Sequence, residues 1–244
     1  MDLRFNKLIT SGIRNKIYIK NKFNKILNKQ LQIRYIKANG RNSYGKITMK
    51  YKGGGSFSFF KKIDWLRIKY NDNYQLVSIN YDNYRTGYIG LLKNKLNISK
   101  YILLPNKLKI GDVIGTLNNN NKNNLGSAKT LRCARINEKL YNLELKPGTG
   151  GKIARSAGTF IKILVKEDNI SLVKLPSKKT IWLHNDCVAS TGRVSNIFHK
   201  FKKLGKAGYN RYLNKRPRVR KCAKNSIDRN FNLLYSKNSE SFKI

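Results

Sequence analysis

The sequence predicts a mainly β protein made of two small antiparallel barrels, with basic extensions at both ends. Short runs of β-forming residues alternate with turn residues from Gly40 to Asn196. A polar tract at residues 118–124 divides these runs into two sets. Of the 244 residues, 40% are hydrophobic, which is enough for two small cores but not for one large core.

The first set of runs predicts the first barrel. The runs read YGKITMKY, FSFFKKIDWLRIKY, LVSINYD, GYIGLL and YILL. In the first of them Ile47, Met49 and Tyr51 alternate with Lys and Thr, so one face is expected to enter a core and the other to present cations. Asp82-Asn83 is a weak turn signal after the third run.

The second set of runs, LRCARI, LYNLEL, TFIKILVK, ISLVKL and TIWLH, predicts the second barrel. Pro176-Ser177, between the last two runs, is a clear hairpin signal. No internal repeat is apparent. The predicted domains are an N-terminal extension at 1–38, a barrel at 39–117, a linker at 118–127, a barrel at 128–199 and a C-terminal tail at 200–244.

The two ends are basic and irregular in sequence. The first 37 residues are nearly free of acidic residues, faintly like an organelle transit peptide, but they are richer in Lys, Asn and Ile than such peptides usually are. The segment at 200–229 is dense in Lys and Arg and cannot bury enough apolar surface to fold alone. We expect it to become ordered only on its partner.

The net charge points to nucleic acid as that partner. The chain has 52 Lys and Arg against 12 Asp and Glu, a formal charge of +40, which would repel itself strongly without an anion. The cations are spread along the whole chain, as expected for a protein embedded in folded RNA. No apolar run of about 18 residues and no secretory signal is present, so neither a membrane partner nor export is predicted.

The cysteines predict neither a disulfide framework nor a metal site. Cys133, Cys187 and Cys222 form an odd set without a C-x-x-C pair. His184 and Cys187 have H-x-x-C spacing, but a structural zinc ion needs four ligands. A small buried thiol on a strand is the favoured role, and no cofactor or metal is predicted.

A glycine-rich loop within Leu143 to Val165 is the most informative stretch. Lys146, Lys152 and Arg155 lie beside three glycines, and we expect them and exposed amide groups to cradle phosphate. The spacing does not fit the nucleotide-binding pattern G-x-x-x-x-G-K-[ST], because Ile153 follows the lysine.

Four ordered stretches carry a resemblance to one family. They are GRNSYGKIT with KGGG (40–55), LELKPGTGGKIARSAGT (143–159), CVASTGRVSN (187–196) and GKAGYNRYLNKRPRVR (205–220). Together they resemble the universal large-subunit ribosomal protein two family, over roughly residues 39 to 229.

This resemblance implies an oligonucleotide-binding-type barrel, then an SH3-like barrel, then an extended tail, all bound to large-subunit rRNA. It further implies neighbouring ribosomal proteins as partners, a role in subunit assembly and in association with the small subunit, and support of the RNA near the peptidyl-transferase centre. It implies no enzymatic activity and no small-molecule substrate, because RNA performs the chemistry.

The resemblance also implies RNA-binding positions in three stretches and in the residues that follow the last one. For the glycines a tight turn is an equal alternative, and for Ser156 and Thr159 hydrogen bonding within the loop is the preferred reading. Tyr209 and Tyr212 either stack on bases or pack within the tail. The predicted RNA-binding residues are Arg41, Asn42, Lys52, Gly53, Gly54, Gly55, Lys146, Gly150, Gly151, Lys152, Arg155, Ser156, Thr159, Lys206, Gly208, Arg211, Tyr212, Arg216, Arg218, Arg220 and Arg229.

The chain departs from the family pattern near its end. Arg229 follows Asp228 where the family has a histidine, and the glycine cluster after it is absent. An arginine stays protonated, so it holds RNA but does not shuttle protons. Tyr141 replaces a histidine, Tyr212 a tryptophan, and Ser56-Phe57-Ser58 a basic run.

Two other functions are alternatives for a chain of this charge. A nuclease generally needs clustered carboxylates for divalent metal, and the only adjacent acidic pair is Glu167-Asp168, on a predicted turn. A general chromosome-compacting protein would show little preference between duplex DNA and rRNA. The bias toward Lys, Asn and Ile indicates an A/T-rich genome, so we expect an organelle-encoded protein of a mitochondrial ribosome, with a plastid-type organelle as the alternative.

Overall fold

The computed structural model describes residues 2–20, 26–34, 37–67, 73–115, 125–219 and 223. The chain divides into two compact units. The barrel module comprises Met1–Ile36 and Phe57–Gly205, and the basic module comprises Lys37–Ser56 and Lys206–Ile244. Arg220, Cys222, Arg229 and most of the predicted linker lie outside the described residues, and the predicted domain boundaries stay predictions.

The N-terminal segment of the barrel module contains regular structure. Its elements are β1 (Asp2–Phe5), α1 (Ser11–Arg14), β2 (Ile17–Lys20) and β3 (Gln32–Arg34). β1 pairs with β2, and β3 pairs with β4 (Phe59–Lys61), both antiparallel. The backbone N–H of Asn28 donates to the Tyr101 hydroxyl at 3.1 Å. The prediction of an irregular leader is therefore wrong for the described residues, because backbone pairing and the first barrel hold this segment.

The first barrel has an antiparallel four-stranded sheet in the order β7-β6-β5-β8. Its strands are β5 (Tyr74–Asn80), β6 (Ile89–Lys93), β7 (Ser99–Leu103) and β8 (Val113–Ile114). Three predicted runs, LVSINYD, GYIGLL and YILL, are confirmed as β5, β6 and β7. Alternate residues of β5 are buried, as period-two patterning requires. The core residues are Tyr74, Leu76, Tyr88, Leu92, Ile102, Leu104, Leu108 and Ile114.

The second barrel has an antiparallel six-stranded sheet in the order β13-β12-β11-β10-β14-β9. Its strands are β9 (Ala128–Thr130), β10 (Lys139–Tyr141), β11 (Ile161–Lys166), β12 (Ile170–Lys174), β13 (Thr180–His184) and β14 (Val188–Thr191). The hairpin predicted at Pro176-Ser177 is confirmed between β12 and β13, where the Leu175 amide donates to the Lys179 carbonyl at 2.8 Å. With two curled sheets in the predicted order, the mainly β fold class is confirmed.

One predicted strand of the second barrel is wrong. Leu131–Cys133, within LRCARI, forms a 3₁₀ turn, and the strand is the preceding β9. Leu131 is fully buried, and its amide donates to the Cys187 carbonyl at 2.9 Å. The chain therefore turns inward where an apolar run suggested a continuing strand.

The two barrels are joined by buried hydrogen bonds within the barrel module. The Tyr141 hydroxyl donates to the Leu103 carbonyl at 3.0 Å, and burial raises the pKa of Tyr141 to about 12. The Tyr88 hydroxyl donates to Asn196 Oδ1 at 2.9 Å, and the Ser195 amide donates to the Leu104 carbonyl at 3.0 Å. Buried polar groups paired in this way fix one arrangement of the barrels.

The described part of the basic module is mostly exposed backbone with one short helix, α2 (Ala207–Tyr212), which buries none of its residues. The predicted strand over Ile47 and Met49 is wrong. Both side chains are more than half exposed, at 60% and 52%, because the chain folds back so that the Thr48 and Met49 amides donate to the Gly40 carbonyl. Among the helices of the described residues, none combines the length and apolar character needed to cross a membrane.

The described cysteines differ in their exposure to solvent. Cys187, just before β14, is fully buried, whereas Cys133 is exposed, and both are free thiols. Burial, followed by the nearby carboxylates of Glu144 and Asp186, raises the pKa of Cys187 to about 11. The burial predicted from sequence is confirmed for Cys187, but its predicted place on a strand is not, because β14 begins at the next residue.

We expect iodoacetamide at about pH 8 to alkylate Cys133 and to leave Cys187 unmodified in the native chain, because the thiolate is the nucleophile. Peptide mass spectrometry of a Cys222→Ser variant measures both sites, with the denatured chain as control. Equal alkylation of the two native sites would contradict the expectation.

The raised pKa of Cys187 also links this thiol to the stability of the fold. Since the folded-state pKa is raised, the stability contributed by this thiol is present below pH 9 and is lost as the pH rises toward 11.

Candidate nucleic-acid interface

Within the basic module, two segments far apart in sequence pair with each other. Lys52 and Lys215 form an antiparallel bridge, and the Arg216 amide donates to the Tyr51 carbonyl at 2.9 Å. The Ser56 amide donates to the Tyr212 carbonyl at 3.2 Å. This pairing brings together most of the predicted RNA-binding residues, namely Arg41, Asn42, Lys52, Gly53, Gly54, Gly55, Lys206, Gly208, Arg211, Tyr212, Arg216 and Arg218.

The glycines of this module allow that close pairing. Gly55 has φ +85°, and a Cβ there would lie 3.0 Å from the Asn214 nitrogen and from the Tyr212 carbonyl oxygen. A Cβ on Gly53 would lie 3.2 Å from Cδ of Arg216. The alternative prediction, that these glycines are needed for a tight turn and not for RNA contact, therefore has a structural basis at Gly53 and Gly55. Gly54 faces open space.

The paired segments form an open cleft of about 810 Å³ with a strongly basic lining. The Arg41 guanidinium also donates to the Gly45 carbonyl at 2.8 Å, and Asn42 Oδ1 accepts from the Lys46 amide at 2.9 Å. The Arg218 guanidinium lies 5.7 Å from the centroid of the Tyr51 ring. The cleft residues are Asn39, Arg41, Ile47, Met49, Lys50, Tyr51, Lys52, Gly53, Gly54, Arg211, Arg216 and Pro217.

Cations paired in this way with aromatic and apolar groups suit a sugar-phosphate backbone and its bases. The cleft lining contains no carboxylate. Tyr212 is 67% exposed, and its ring lies 6.4 Å from that of Tyr209. The two rings therefore pack beside each other within the tail, and their stacking on bases stays a prediction.

The glycine-rich loop of the barrel module is organised by a buried carboxylate that sequence reasoning missed. Glu144 is 1% exposed. Its oxygens accept from the amides of Gly148 at 3.2 Å, Gly150 at 2.8 Å and Val188 at 3.1 Å. The expected cradle of exposed amides is therefore wrong at Gly148 and Gly150, because their N–H groups are occupied by the protein's own anion.

The next glycine of the loop is also used internally. The Gly151 amide donates to the Trp65 carbonyl at 3.1 Å. A Cβ on Gly151 would lie 2.2 Å from Oδ1 of Asn142, which is itself buried. Packing therefore explains a glycine at this position, and direct RNA contact by Gly150 or Gly151 stays a prediction.

The basic side chains of this loop face solvent. Lys146, Lys152 and Arg155 are all exposed. The Arg155 guanidinium lies 4.6 Å from the centroid of the Trp65 ring, which orients it by cation–π attraction. Trp65 was not predicted as a site residue, because its contact with Arg155 joins residues 90 positions apart in the sequence and no local motif signals it.

The hydroxyl residues after this loop have local roles. The Thr159 hydroxyl donates to the Ser156 carbonyl at 2.7 Å, and the Thr159 amide donates to the same oxygen at 3.2 Å. The preferred prediction of hydrogen bonding within the loop is confirmed for Thr159. The Ser156 side chain is exposed.

Three basic residues are buried structural groups and do not belong to the interface. Lys129 Nζ lies 2.6 Å from Glu138 Oε1, and Arg67 donates to the Gly126 carbonyl at 2.8 Å. Lys61 donates to the Tyr81 carbonyl, and desolvation lowers the pKa of Lys61. The net charge alone could not have separated these buried cations from the exposed ones.

The acidic pair Glu167-Asp168, the candidate for a nuclease site, lies on a turn, as predicted. Glu167 and Asp168 are exposed between β11 and β12, and the Glu167 amide donates to the Ile170 carbonyl at 2.9 Å. In the part of the chain that the structure describes, no group of three or more His, Cys, Asp or Glu residues could hold a metal ion.

Two models of known protein families match the parts of the chain that form the two barrels. The model for "Ribosomal Proteins L2, RNA binding N-terminal domain" matches residues 28–116, and the model for "Ribosomal Proteins L2, C-terminal domain" matches residues 124–232. The chain is 43% identical over 189 residues to the large ribosomal subunit protein uL2 of Amoebophilus asiaticus, covering 78% of this chain and 69% of that protein. It is 39% identical over 201 residues to the large ribosomal subunit protein uL2m of Reclinomonas americana, covering 82% and 72%. The two domains, the order of the two β-sheets and these relatives agree with the resemblance seen in the sequence, and the chain belongs to the ribosomal protein L2 family.

Proposed function

We propose that this chain is a structural constituent of the large ribosomal subunit that binds large-subunit rRNA. The observation that carries this proposal is the charge of the basic module. Its described residues, 37–56 and 206–219, contain ten Lys and Arg and no Asp or Glu. Such a module repels itself unless an external polyanion neutralises it, and rRNA is the polyanion that a member of this family meets.

In this proposal the cleft of the basic module holds a strand of rRNA, and the exposed cations of the glycine-rich loop provide a second contact. Arginine serves the first contact well because its planar fork binds a phosphate through two N–H groups or lies flat on a base. Arg155, oriented on Trp65, belongs to the second contact. We extend the proposal to subunit assembly, to neighbouring ribosomal proteins, to association with the small subunit, and to support of RNA near the peptidyl-transferase centre.

The proposed role is structural and not enzymatic. Within the described residues the carboxylates are scattered or engaged in salt bridges, such as Arg85 with Asp82 and Lys129 with Glu138. A nuclease would lose a metal-dependent cleavage activity in a Glu167→Gln/Asp168→Asn variant, and we expect no such activity in either protein. A compacting protein would bind duplex DNA as tightly as rRNA, and we expect rRNA to compete better.

We place the protein in an organellar ribosome, specifically that of a mitochondrion with an organelle-encoded gene. The similarity to the uL2m protein of Reclinomonas americana and the bias toward residues with A/T-rich codons support this placement. A plastid-type organelle is the alternative, and purification of ribosomes from each organelle separates the two.

Sedimentation tests the proposed function. We expect the chain to migrate with large subunits at moderate salt and to be released by high salt or by ribonuclease, because cation–phosphate contacts weaken steeply as salt rises. Immunoblotting of gradient fractions measures this, with a ribosome-free soluble enzyme as control. Recovery of the chain only in the soluble fraction, at low salt and with intact subunits present, would contradict the proposal.

A further inference from the structure

A row of lysines crosses the outer face of the second barrel. Lys139 of β10 lies directly opposite Lys162 of β11, and Lys162 lies directly opposite Lys174 of β12. Directly opposite residues share one face of a sheet, so the three side chains form a cross-strand ladder about 10 Å long. On β11 the two neighbours of Lys162, Ile161 and Ile163, point to the other face of the sheet, where they are buried in the core.

This lysine ladder is unfavourable for the isolated protein. Like charges directly opposite each other destabilise a sheet. Among the described residues, none of the three lysines forms an ion pair with a carboxylate. Glu138, which precedes Lys139, is already engaged by Lys129 at 2.6 Å. The ladder therefore has a cost that an external anion would remove.

A cleft of about 430 Å³ lies alongside the ladder and provides apolar surface. Lys162, Lys174 and Lys178 line it together with Leu175 and Pro176. The hairpin between β12 and β13 fixes the far wall, because the Lys178 amide donates to the Leu175 carbonyl at 3.0 Å. Cations and apolar groups are thus held on two rigid sides of one concave surface.

The aromatic residue of this cleft, Phe160, lies close to two cations. Lys139 Nζ lies 5.5 Å and the Arg193 guanidinium 5.3 Å from the centroid of the Phe160 ring. Arg193 is fixed by donating from Nε to the Gly158 carbonyl at 2.6 Å. These contacts hold one end of the ladder in place before any ligand binds.

We propose that the lysine ladder and its cleft bind one sugar-phosphate strand of rRNA, with phosphates on the lysines and a ribose against Leu175 and Pro176. This inference rests on the proposed function and adds to it a contact on the second barrel, outside the glycine-rich loop. RNA is favoured over an acidic protein segment because a nucleic-acid strand carries one charge at every nucleotide, so successive lysines each meet a phosphate.

Binding of the full chain to transcribed large-subunit rRNA tests the ladder. The double variant Lys162→Gln/Lys174→Gln should reduce the slope of log Kobs against log salt concentration by about 1.4 to 1.8, the value for two lost phosphate contacts. The matched control Lys107→Gln/Lys109→Gln removes two exposed charges from the first barrel and should change the slope by less than half as much. Lys162→Arg/Lys174→Arg should keep the wild-type slope.

Stability of the RNA-free chain supplies a second readout. Removing the opposed charges should leave its melting temperature unchanged or raise it, whereas a merely structural role would lower it. If wild-type chain binds rRNA but the glutamine variant keeps its full slope, the ladder proposal is overturned and the proposed function stands. If the wild-type chain does not bind rRNA, both the ladder proposal and the proposed function are overturned.

Carbodiimide crosslinking of intact subunits tests the alternative occupant, since this reagent joins lysine to a carboxylate in direct contact. We expect no crosslink from Lys139, Lys162 or Lys174 to another ribosomal protein. Such crosslinks in good yield would place an acidic protein segment on the ladder and overturn the proposal.

Discussion

Replacing Glu144 by alanine is expected to destabilise the barrel module by about 3 to 5 kcal/mol, since about 1 to 3 kcal/mol is lost for each buried donor left without an acceptor. The carboxylate accepts three backbone N–H groups, from Gly148, Gly150 and Val188, at 2.8 to 3.2 Å. Alanine leaves these donors without an acceptor, and those of Gly150 and Val188 are buried away from water, whereas Gly148 is at an exposed position. The loss is larger than for an exposed ion pair because the carboxylate has no competing hydration.

Denaturant unfolding of the RNA-free chain measures this effect, followed by tryptophan fluorescence, because the Trp65 carbonyl accepts from the Gly151 amide of the same loop. Glu144→Gln is the matched variant: it keeps one oxygen but turns an amide donor toward an N–H group, so an intermediate loss is expected. Glu167→Ala, at an exposed turn, should change stability by less than about 0.5 kcal/mol. Equal stabilities of the Glu144→Ala and Glu167→Ala variants would refute this account of the loop.

The same substitution links the fold to RNA binding. The loop that Glu144 organises carries Lys146 and Lys152, and Arg155 follows it. With the loop amides released, hydrogen exchange at Gly148, Gly150 and Val188 should become faster. We expect the three cations to lose their fixed arrangement as well, so RNA affinity should fall even though no charge facing RNA has been removed.

Neutralising four cations of the basic module is expected to produce the largest loss of RNA affinity. The change is Lys52→Gln, Arg211→Gln, Arg216→Gln and Arg218→Gln together. We expect rRNA affinity to fall on the order of 10²-fold or more at moderate salt, and the salt slope to fall by about 3, as for four lost phosphate contacts. The physical reason is that the described residues of this module, 37–56 and 206–219, contain no Asp or Glu, so each of these charges is available to release a counterion.

Filter binding over a series of salt concentrations measures both quantities. The control set Lys93→Gln, Lys95→Gln, Lys107→Gln and Lys109→Gln removes the same charge from exposed positions of the first barrel. A second matched set, with the three arginines changed to lysine, should keep most of the slope but lose bidentate contacts. If the control set weakens binding as much as the module set, RNA binding depends on net charge and not on this module.

Local patterns identified the regular strands. β5, β6 and β7, and then β11, β12 and β13, all lie where short apolar runs end at turn residues. β5, β11 and β12 alternate between buried and less buried residues, whereas β6 is an apolar run buried on both faces. β14 was not predicted, since its sequence, VAST, is neither an apolar run nor an alternating one, although all four of its residues are buried. The predicted strand over Ile47 and Met49 failed because the alternation was genuine but no core lies beneath it.

The sequence by itself determined the fold class, the two barrels, the family and the need for a polyanionic partner, because periodicity, ordered motifs and net charge are properties of the chain read in order. Only the tertiary structure decided which charges are available to RNA. It buried Lys61, Arg67 and Lys129, occupied the loop amides with Glu144, aligned the lysines of three strands, and paired the segment before Ser56 with the one after Lys206. These outcomes depend on strand register and on contacts between distant residues, and a sequence read residue by residue does not contain them.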